Sequence, residues 1–367
     1  MAEERRRCRE LGLVIGSLQP GPKNSITDVI GVRVGHTTVS FDDKRGIART
    51  GVTAIWPGGG DLVREPVPVG SFALAGFGEI TGRTAADDWG IASTPIVLTA
   101  TMSVGIVYHA VQRYLCRQDT ELGRLELVIP LVGECDDSFL NDSRAFHVTE
   151  QHVYAALDSA TGGPVEEGCV GAGTGMQCFE FKGGIGSASR KLDAANGGYT
   201  LGVLVETNLG ARPLLTIGGV PVGRHIADLK PGGRLPDYWG ESGDGGSCIV
   251  VAATDAPLTN HQLAKLARRS ALGLARVGSI GANSSGELML AFTTANRVRV
   301  GDSLSNHIEV LNDRRIDMLY QAVVEATQEA VVNALFMAHT TAGRDGNVLH
   351  ALPIERTLDL LRQYGRI

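Results

Sequence analysis

Ser247 ends the glycine-rich approach Gly243-Asp244-Gly245-Gly246 and opens the apolar run Cys248-Ile249-Val250-Val251-Ala252-Ala253, a length that suits one buried strand. A serine nucleophile commonly sits in a Gly-x-Ser-x-Gly elbow with a histidine base, and this chain has no such elbow. The other way to activate a serine is as an N-terminal nucleophile, whose own freed α-amine is the base and whose hydroxyl attacks a carbonyl. An α-amine titrates at about 7.7 to 8.0, so a useful fraction is unprotonated near neutrality. Such chemistry needs the 246–247 peptide bond to be broken first: the Ser247 hydroxyl attacks the Gly246 carbonyl and water hydrolyses the ester that forms. Glycine at 246 accepts backbone strain on the order of 1–3 kcal/mol that other residues resist. Cys248 is the rival nucleophile, but one residue further along a strand it points to the opposite face. Taken alone, Gly-Gly-Ser also reads as a plain loop ahead of a strand.

Other polar residues stand where predicted elements can aim them. Ser285-Gly286-Glu287-Leu288-Met289-Leu290-Ala291-Phe292-Thr293 alternates as a strand, which puts Ser285 and Glu287 on one face. Asn196-Gly197-Gly198 predicts a hairpin between Cys178–Arg190 and Tyr199–Glu206, the second strand running out at Thr207-Asn208. Leu127–Val132 predicts a buried strand that delivers Glu134-Cys135-Asp136-Asp137 beyond its end. Carboxylates there are either functional or caps of the next helix, and the two readings stand side by side. His147 and His152, five apart on a predicted helix over 147–157, do not share a face as a metal pair requires. Gly171-Ala-Gly173-Thr-Gly175 lacks a preceding buried strand and the dinucleotide spacing, and reads as a turn or packing site.

The remaining pattern supplies a frame. Strands are expected over 31–37, 51–56, 71–75 and 95–98, and helices over 84–89 and 103–115. Thr259-Asn-His-Gln262 is a capping box opening a helix that ends at Gly278. A long helix over 316–338 buries Leu319, Val323, Ala326, Ala330 and Ala334 on one side, and a short one covers 354–362. Residues 224–246 are rich in Pro and Gly and read as a linker or processing segment.

With 43% hydrophobic and 20% charged residues in 367, the chain can bury a large core and has no bias toward disorder. A net charge of −6 argues against nucleic acid as partner, and Arg5-Arg6-Arg7 reads as a solvated tail. The six cysteines show no Cys-x-x-Cys pair or metal-like spacing and read as reduced thiols of a cytoplasmic protein. No signal peptide or membrane span is expected.

Gly245-Gly246-Ser247 before an apolar strand, Asn283-Ser284-Ser285-Gly286-Glu287, Asn208-Leu-Gly210, Gly171–Met176, Lys182-Gly-Gly-Ile-Gly186 and Thr341–Asn347, in this order and spacing, resemble the family of L-aminopeptidase D-Ala-esterase/amidases and β-peptidyl aminopeptidases. The likeness runs from Asn24-Ser-Ile-Thr-Asp28-Val29 nearly to the C-terminus, and it turns the balance at Ser247 from loop to nucleophile. It implies a four-layer α-β-β-α sandwich like that of N-terminal-nucleophile hydrolases but differently connected, a single catalytic domain over 1–367, self-cleaved into 1–246 and 247–367. It implies Ser247 as nucleophile, Ser285 and Glu287 in contact with its amine and hydroxyl, Asn208 as oxyanion donor and Glu134 as the acceptor of the substrate's free amine. No metal or cofactor enters, and a tetramer of processed pairs is expected. Two positions depart from the family: Glu134-Cys135-Asp136-Asp137 stands where relatives have Glu-Thr-x-Asp, and Phe77-Gly78-Glu79 where they often have Asn-Gly-Glu. The added carboxylate of Asp136 should favour cationic substrates or raise the pKa of Glu134. The activity implied is a serine aminopeptidase or amidase. The alternatives are an endo-acting amide hydrolase of the nylon-oligomer kind, and an unprocessed amine-binding protein.

Overall fold

The computed structural model describes residues 4–234, 245–301 and 304–367. Gly243, Asp244 and the middle of the Pro/Gly-rich stretch lie outside the described residues. A four-stranded sheet is ordered β1 (Val32–Asp43), β2 (Gly46–Pro57), β5 (Ile96–Ala100), β6 (Leu131–Cys135). A six-stranded sheet is ordered β4 (Ile91–Ala92), β3 (Val67–Ala73), β12 (Ser285–Thr293), β11 (Gly246–Thr254), β10 (Thr200–Asn208), β9 (Ile185–Lys191). Two small ladders, β7 (Gln177–Cys178) with β8 (Phe181–Lys182) and β13 (Thr341–Ala342) with β14 (Val348–Leu349), complete the strands. Each large sheet contains one parallel pair, β5 with β6 and β11 with β12. A parallel pair needs a crossover, supplied by α2 (Val104–Gln118) and α5 (Asn260–Val277) respectively.

Alternation along the strands makes the layers. Ile55, Leu98, Leu131, Ile249, Val251, Leu288 and Leu290 meet between the two sheets. Val52, Val97 and Val132, on the other face of the small sheet, pack under α2 and α3 (Glu150–Asp158). On the outer face of the large sheet, Val203, Val250, Met289 and Ala291 pack under α5 and α6 (Asp317–Met337). The order is helix, sheet, sheet, helix, as expected. The helix α1 (Arg83–Trp89), the turn-length α4 (Val222–His225) and α7 (Ile354–Gln363) lie outside the sheets' strand order.

The capping box holds: Gln262 N donates to Thr259 Oγ1 at 3.3 Å, and Thr259 N donates to Gln262 Oε1 at 3.0 Å. Leu263, Leu266 and Leu274 then line the buried face of α5, where truncating one to alanine costs about 2–5 kcal/mol.

Four expectations are corrected. The strand predicted over 127–132 begins at Leu131, because Pro130 cannot donate to a ladder; Glu134 therefore lies within β6, and Leu127 is 85% exposed. The segment from 178 to 190 is broken by Phe179 and Glu180, both at positive φ, into the small β7–β8 ladder followed by β9. The helix predicted from His147 starts at Glu150, capped by Thr149. Arg7 is no solvated tail: it pairs with buried Glu167 at 2.7 Å and donates to Ser187 O at 2.6 Å, while Arg9 pairs with buried Glu329 at 2.7 Å. Buried carboxylates need such cations, and Glu325 and Glu329 also take Arg190, so α6 is buried well beyond its one predicted side.

Candidate active site

Ser247 is the second residue of β11 and is buried at the mouth of the gap between the sheets. Ile249 and Val251 of the same parity face that gap, whereas Cys248 and Val250 face the helices, so the two candidate nucleophiles point to opposite faces as expected. Gly246 has φ 152°, and a Cβ there would stand 2.0 Å from the carbonyl oxygen of Asn208. Only glycine fits this approach. Among the described residues the Ser247 hydroxyl has no partner at hydrogen-bond geometry, although it lies near enough to the Cys135 thiol to oppose slightly the effect of burial on that group. Burial pushes the thiols of Cys248 and of neighbouring Cys135 well above their ordinary value; both stay protonated and leave Ser247 as the nucleophile candidate.

The register of β11 with β12 sets Ser285 opposite Gly246 and Glu287 opposite Cys248. Ser285 and Glu287 do share a face, and Ser285 Oγ donates to Glu287 Oε1 at 2.7 Å. That face is the helix side, with Met289 and Ala291, so the pair flanks the Ser247 backbone from behind while the hydroxyl looks forward. Burial raises the Glu287 carboxyl, opposed by the Ser285 hydrogen bond, and its Oε2 is unpartnered among the described residues. Gly286 between them admits the loop over 76–79: a Cβ there would meet Phe77 O at 2.6 Å.

Asn208 is the last residue of β10 and the cross-strand partner of Ser247. Its Oδ1 accepts from Gln177 N at 3.2 Å and its Nδ2 donates to Asp136 O at 2.9 Å. These two contacts fix which end of the amide is nitrogen and leave one N–H hydrogen for another acceptor. Gln177 is steadied in turn by Lys182, whose buried Nζ donates to the carbonyls of Gly173, Met176 and Gly183 at 3.0, 2.8 and 2.8 Å.

Glu134 Oε1 accepts from Glu79 N at 2.8 Å and Oε2 accepts from the Thr101 hydroxyl. Burial pushes its carboxyl above the ordinary glutamate value; those hydrogen bonds pull it down, and the charges of Asp136 and Glu79 push it up. Asp136 thus acts in the expected direction, with burial the larger cause. Asp136 also accepts from Ser138 N and Oγ at 3.2 and 2.7 Å, an Asx-type turn rather than a helix cap. Asp137 is buried behind it, held by Asn141 and Ser143 and pushed up to about 7 by burial.

Ser247, Gly246, Asn208, Glu134 and Asp136 line one cavity of about 580 Å3. Ser285 and Glu287 do not line it. Thr101, Gln177 and Arg144 belong to this environment and escape the sequence reading. A signal for Thr101 exists: it stands three residues beyond the apolar run 95–98, at the end of β5, which pairs with the strand of Glu134. Another cavity, of about 520 Å3 between Trp89, Leu127, Ile129 and Val300, has Glu126 as its one charged lining residue and Ser93 as its one hydroxyl among the described residues.

The description "peptidase family S58" matches residues 24–349. The chain is 40% identical over 379 aligned positions to the β-peptidyl aminopeptidase BapA of Sphingosinicella microcystinivorans, covering 98% of this chain and 93% of that one. In structure it is similar to a β-aminopeptidase of Burkholderia sp. (TM-score 0.90, 41% identity, 98% of this chain and 99% of that one). It is equally similar to the L-aminopeptidase D-Ala-esterase/amidase of Ochrobactrum anthropi (TM-score 0.90, 40% identity, 98% and 99%), described as a prototype of the serine aminopeptidases and a variant of the Ntn hydrolase fold. A likeness that spans almost the whole of each protein, on the same layered fold, means that this chain is a peptidase and belongs to family S58.

Proposed function

We propose that the chain is a self-processing serine aminopeptidase that hydrolyses amide or ester bonds following a free-amine residue. In processing, Ser247 Oγ attacks the Gly246 carbonyl, the 246–247 C–N bond breaks, and the proton of the hydroxyl passes to the departing nitrogen. Water then cleaves the ester, leaving a carboxylate at Gly246 and a free hydroxyl and α-amine on Ser247. Both products, residues 1–246 and 247–367, remain in one catalytic domain because β10 and β11 are paired in one sheet.

In turnover, Glu134 takes the substrate ammonium and the α-amine of Ser247 takes the hydroxyl proton. Oγ attacks the carbonyl, and the free N–H of Asn208 donates to the oxyanion, the charge that develops in the transition state. The proton passes to the leaving amine, and water hydrolyses the acyl-enzyme. Ser285 and the unpartnered Oε2 of Glu287 hold the amine from the helix side. The observation that supports this most is the unpartnered Ser247 hydroxyl in one cavity with Asn208 and Glu134, behind a backbone that accepts only glycine at 246.

Denaturing electrophoresis with N-terminal sequencing tests the first step: chains of about 26 and 13 kDa from 38.7 kDa, the smaller beginning at Ser247. Activity on aminoacyl p-nitroanilides, lost in Ser247→Ala and absent on N-acetylated substrates, tests the second. An active protein that stays one band removes the processing claim; N-acetylated or long oligomers cleaved as fast favour an endo-acting amide hydrolase. We also infer assembly of processed pairs into a homo-oligomer, for which exposed Trp89, Leu125 and Leu127 offer apolar contact surface; light scattering measures it.

A further inference from the structure

We propose that Arg144 anchors the carboxylate of the leaving residue, so that zwitterionic dipeptides are preferred over aminoacyl amides of the same sequence. This rests on the free-amine hydrolysis proposed above and names its substrate class.

Among the described residues, the charged ones lining the cavity of Ser247 are Glu134, Asp136 and Arg144. Arg144 lies in the short turn Ser143–Ala145. The turn is held from below: Ser143 Oγ donates to Asp137 Oδ1 at 2.9 Å, and Ala145 N donates to Asp142 O at 3.0 Å. Its backbone is fixed while its guanidinium is exposed and, among the described residues, makes no hydrogen bond or ion pair. Other arginines at this end are neutralised: Arg45 by Asp43, Arg49 by Asp42 and Arg344 by Asp345. Asp136, the carboxylate in the same cavity, accepts from Ser138 instead.

The cavity is therefore lined by opposite charges carried on different elements, Glu134 on β6 and Arg144 on the turn Ser143–Ala145. Glu134 is tied to the loop over 77–79 and to Thr101, whereas Arg144 rises from the turn after Asn141. Ser247 and its cross-strand partner Asn208 line the same cavity. A substrate with its ammonium at Glu134 and its carbonyl at Ser247 has its leaving residue in the rest of the cavity, where Arg144 is the lining cation among the described residues. A planar guanidinium matches a carboxylate through two parallel hydrogen bonds. A volume of about 580 Å3 is within the range of small-ligand sites and accommodates a dipeptide. A neutral amide leaving group forgoes this contact.

The test compares kcat/KM for L-Ala-L-Ala and β-Ala-L-Ala with their C-terminal amides at one pH and ionic strength. The expected result is a preference of about tenfold for the free acid on whichever series is cleaved, the scale of one charge-assisted contact at an exposed site, expressed mainly in KM and shrinking at 0.5 M salt. In Arg144→Gln the ratio should fall to near one, and Arg144→Lys should keep part of it; thermal melts verify that both variants fold. Equal rates on acid and amide in the wild-type protein, a comparison that needs no variant, overturn this proposal alone, as does an unchanged ratio in folded Arg144→Gln. A protein that cleaves no free-amine substrate overturns the parent reading together with this one.

Discussion

Asn208 stands directly across the β10–β11 ladder from Ser247, and its amide is oriented by Gln177 and Asp136 with one N–H hydrogen left over. A donor fixed before the charge develops needs no reorganisation during reaction. Asn208→Ala should therefore lower kcat by about 10²–10³ with a smaller change in KM, and slow self-processing as well. Steady-state kinetics beside a thermal melt checks this; a folded variant with full kcat removes Asn208 from the oxyanion role.

Gly246→Ala should leave a single unprocessed band on a denaturing gel. Its Cβ would meet Asn208 O at 2.0 Å with φ at 152°, so β10 and β11 must splay and the scissile carbonyl moves away from Ser247. The same strain should lower the melting temperature. Ser247→Ala should also stay unprocessed but melt no lower than the wild type, since it removes a buried hydroxyl that has no partner among the described residues. Normal processing of the glycine variant contradicts the geometric argument.

The strands and helices around this site are legible in sequence because their periodicity is local: β12 and α5 follow from alternation and from a capping box within a few residues. What periodicity cannot supply is register. It puts Ser285 and Glu287 on one face, but which face depends on how β12 lies beside β11, and the answer is the helix side. That Asn208 meets Ser247 is equally a matter of register between strands. Arg7 is misread because its partner Glu167 lies 160 residues away, and Arg144 passes unnoticed because only the fold brings its turn to the cavity. The corrected start of β6 is the exception, since Pro130 announces it in the sequence.

Glu134 has to be ionised to hold an ammonium group, so kcat/KM should rise with pH through its titration. Burial first, then the charge of Asp136, holds that carboxyl above the ordinary glutamate value, which moves the acid limb of the profile upward. Asp136→Asn removes one like charge and should shift the limb to lower pH, while raising KM above it because less negative charge faces the substrate. Glu134→Gln should raise KM for free-amine substrates roughly tenfold or more. A pH profile of kcat/KM for the three proteins decides; an acid limb that stays put in Asp136→Asn disconnects the two carboxylates.

Glu206 makes the last prediction, on stability. It has the parity of Leu204 and Asn208 on β10, facing the gap between the sheets, and neither carboxylate oxygen has a partner among the described residues. Burial, then the charges of Glu134 and Asp137, push its carboxyl well above the ordinary value. In the unfolded chain it titrates near the ordinary value of about 4.3. Between the two values the folded state holds a proton that the unfolded state has lost, so stability falls as pH rises. Its favourable protonated contribution is complete below the unfolded value and is lost as pH rises through the folded one. Asp137 and Glu167, each pushed up to about 7, act in the same direction and remain in any variant of Glu206. Glu206→Gln keeps the shape and cannot ionise. In the Ser247→Ala background, where a single chain unfolds, urea denaturation from pH 5 to 8 should show the glutamine variant gaining on its parent as pH rises, by at most about 1.4 kcal/mol per pH unit. A difference that does not change with pH means that Glu206 titrates alike in both states, and that its burial leaves the carboxyl as free to ionise as in water.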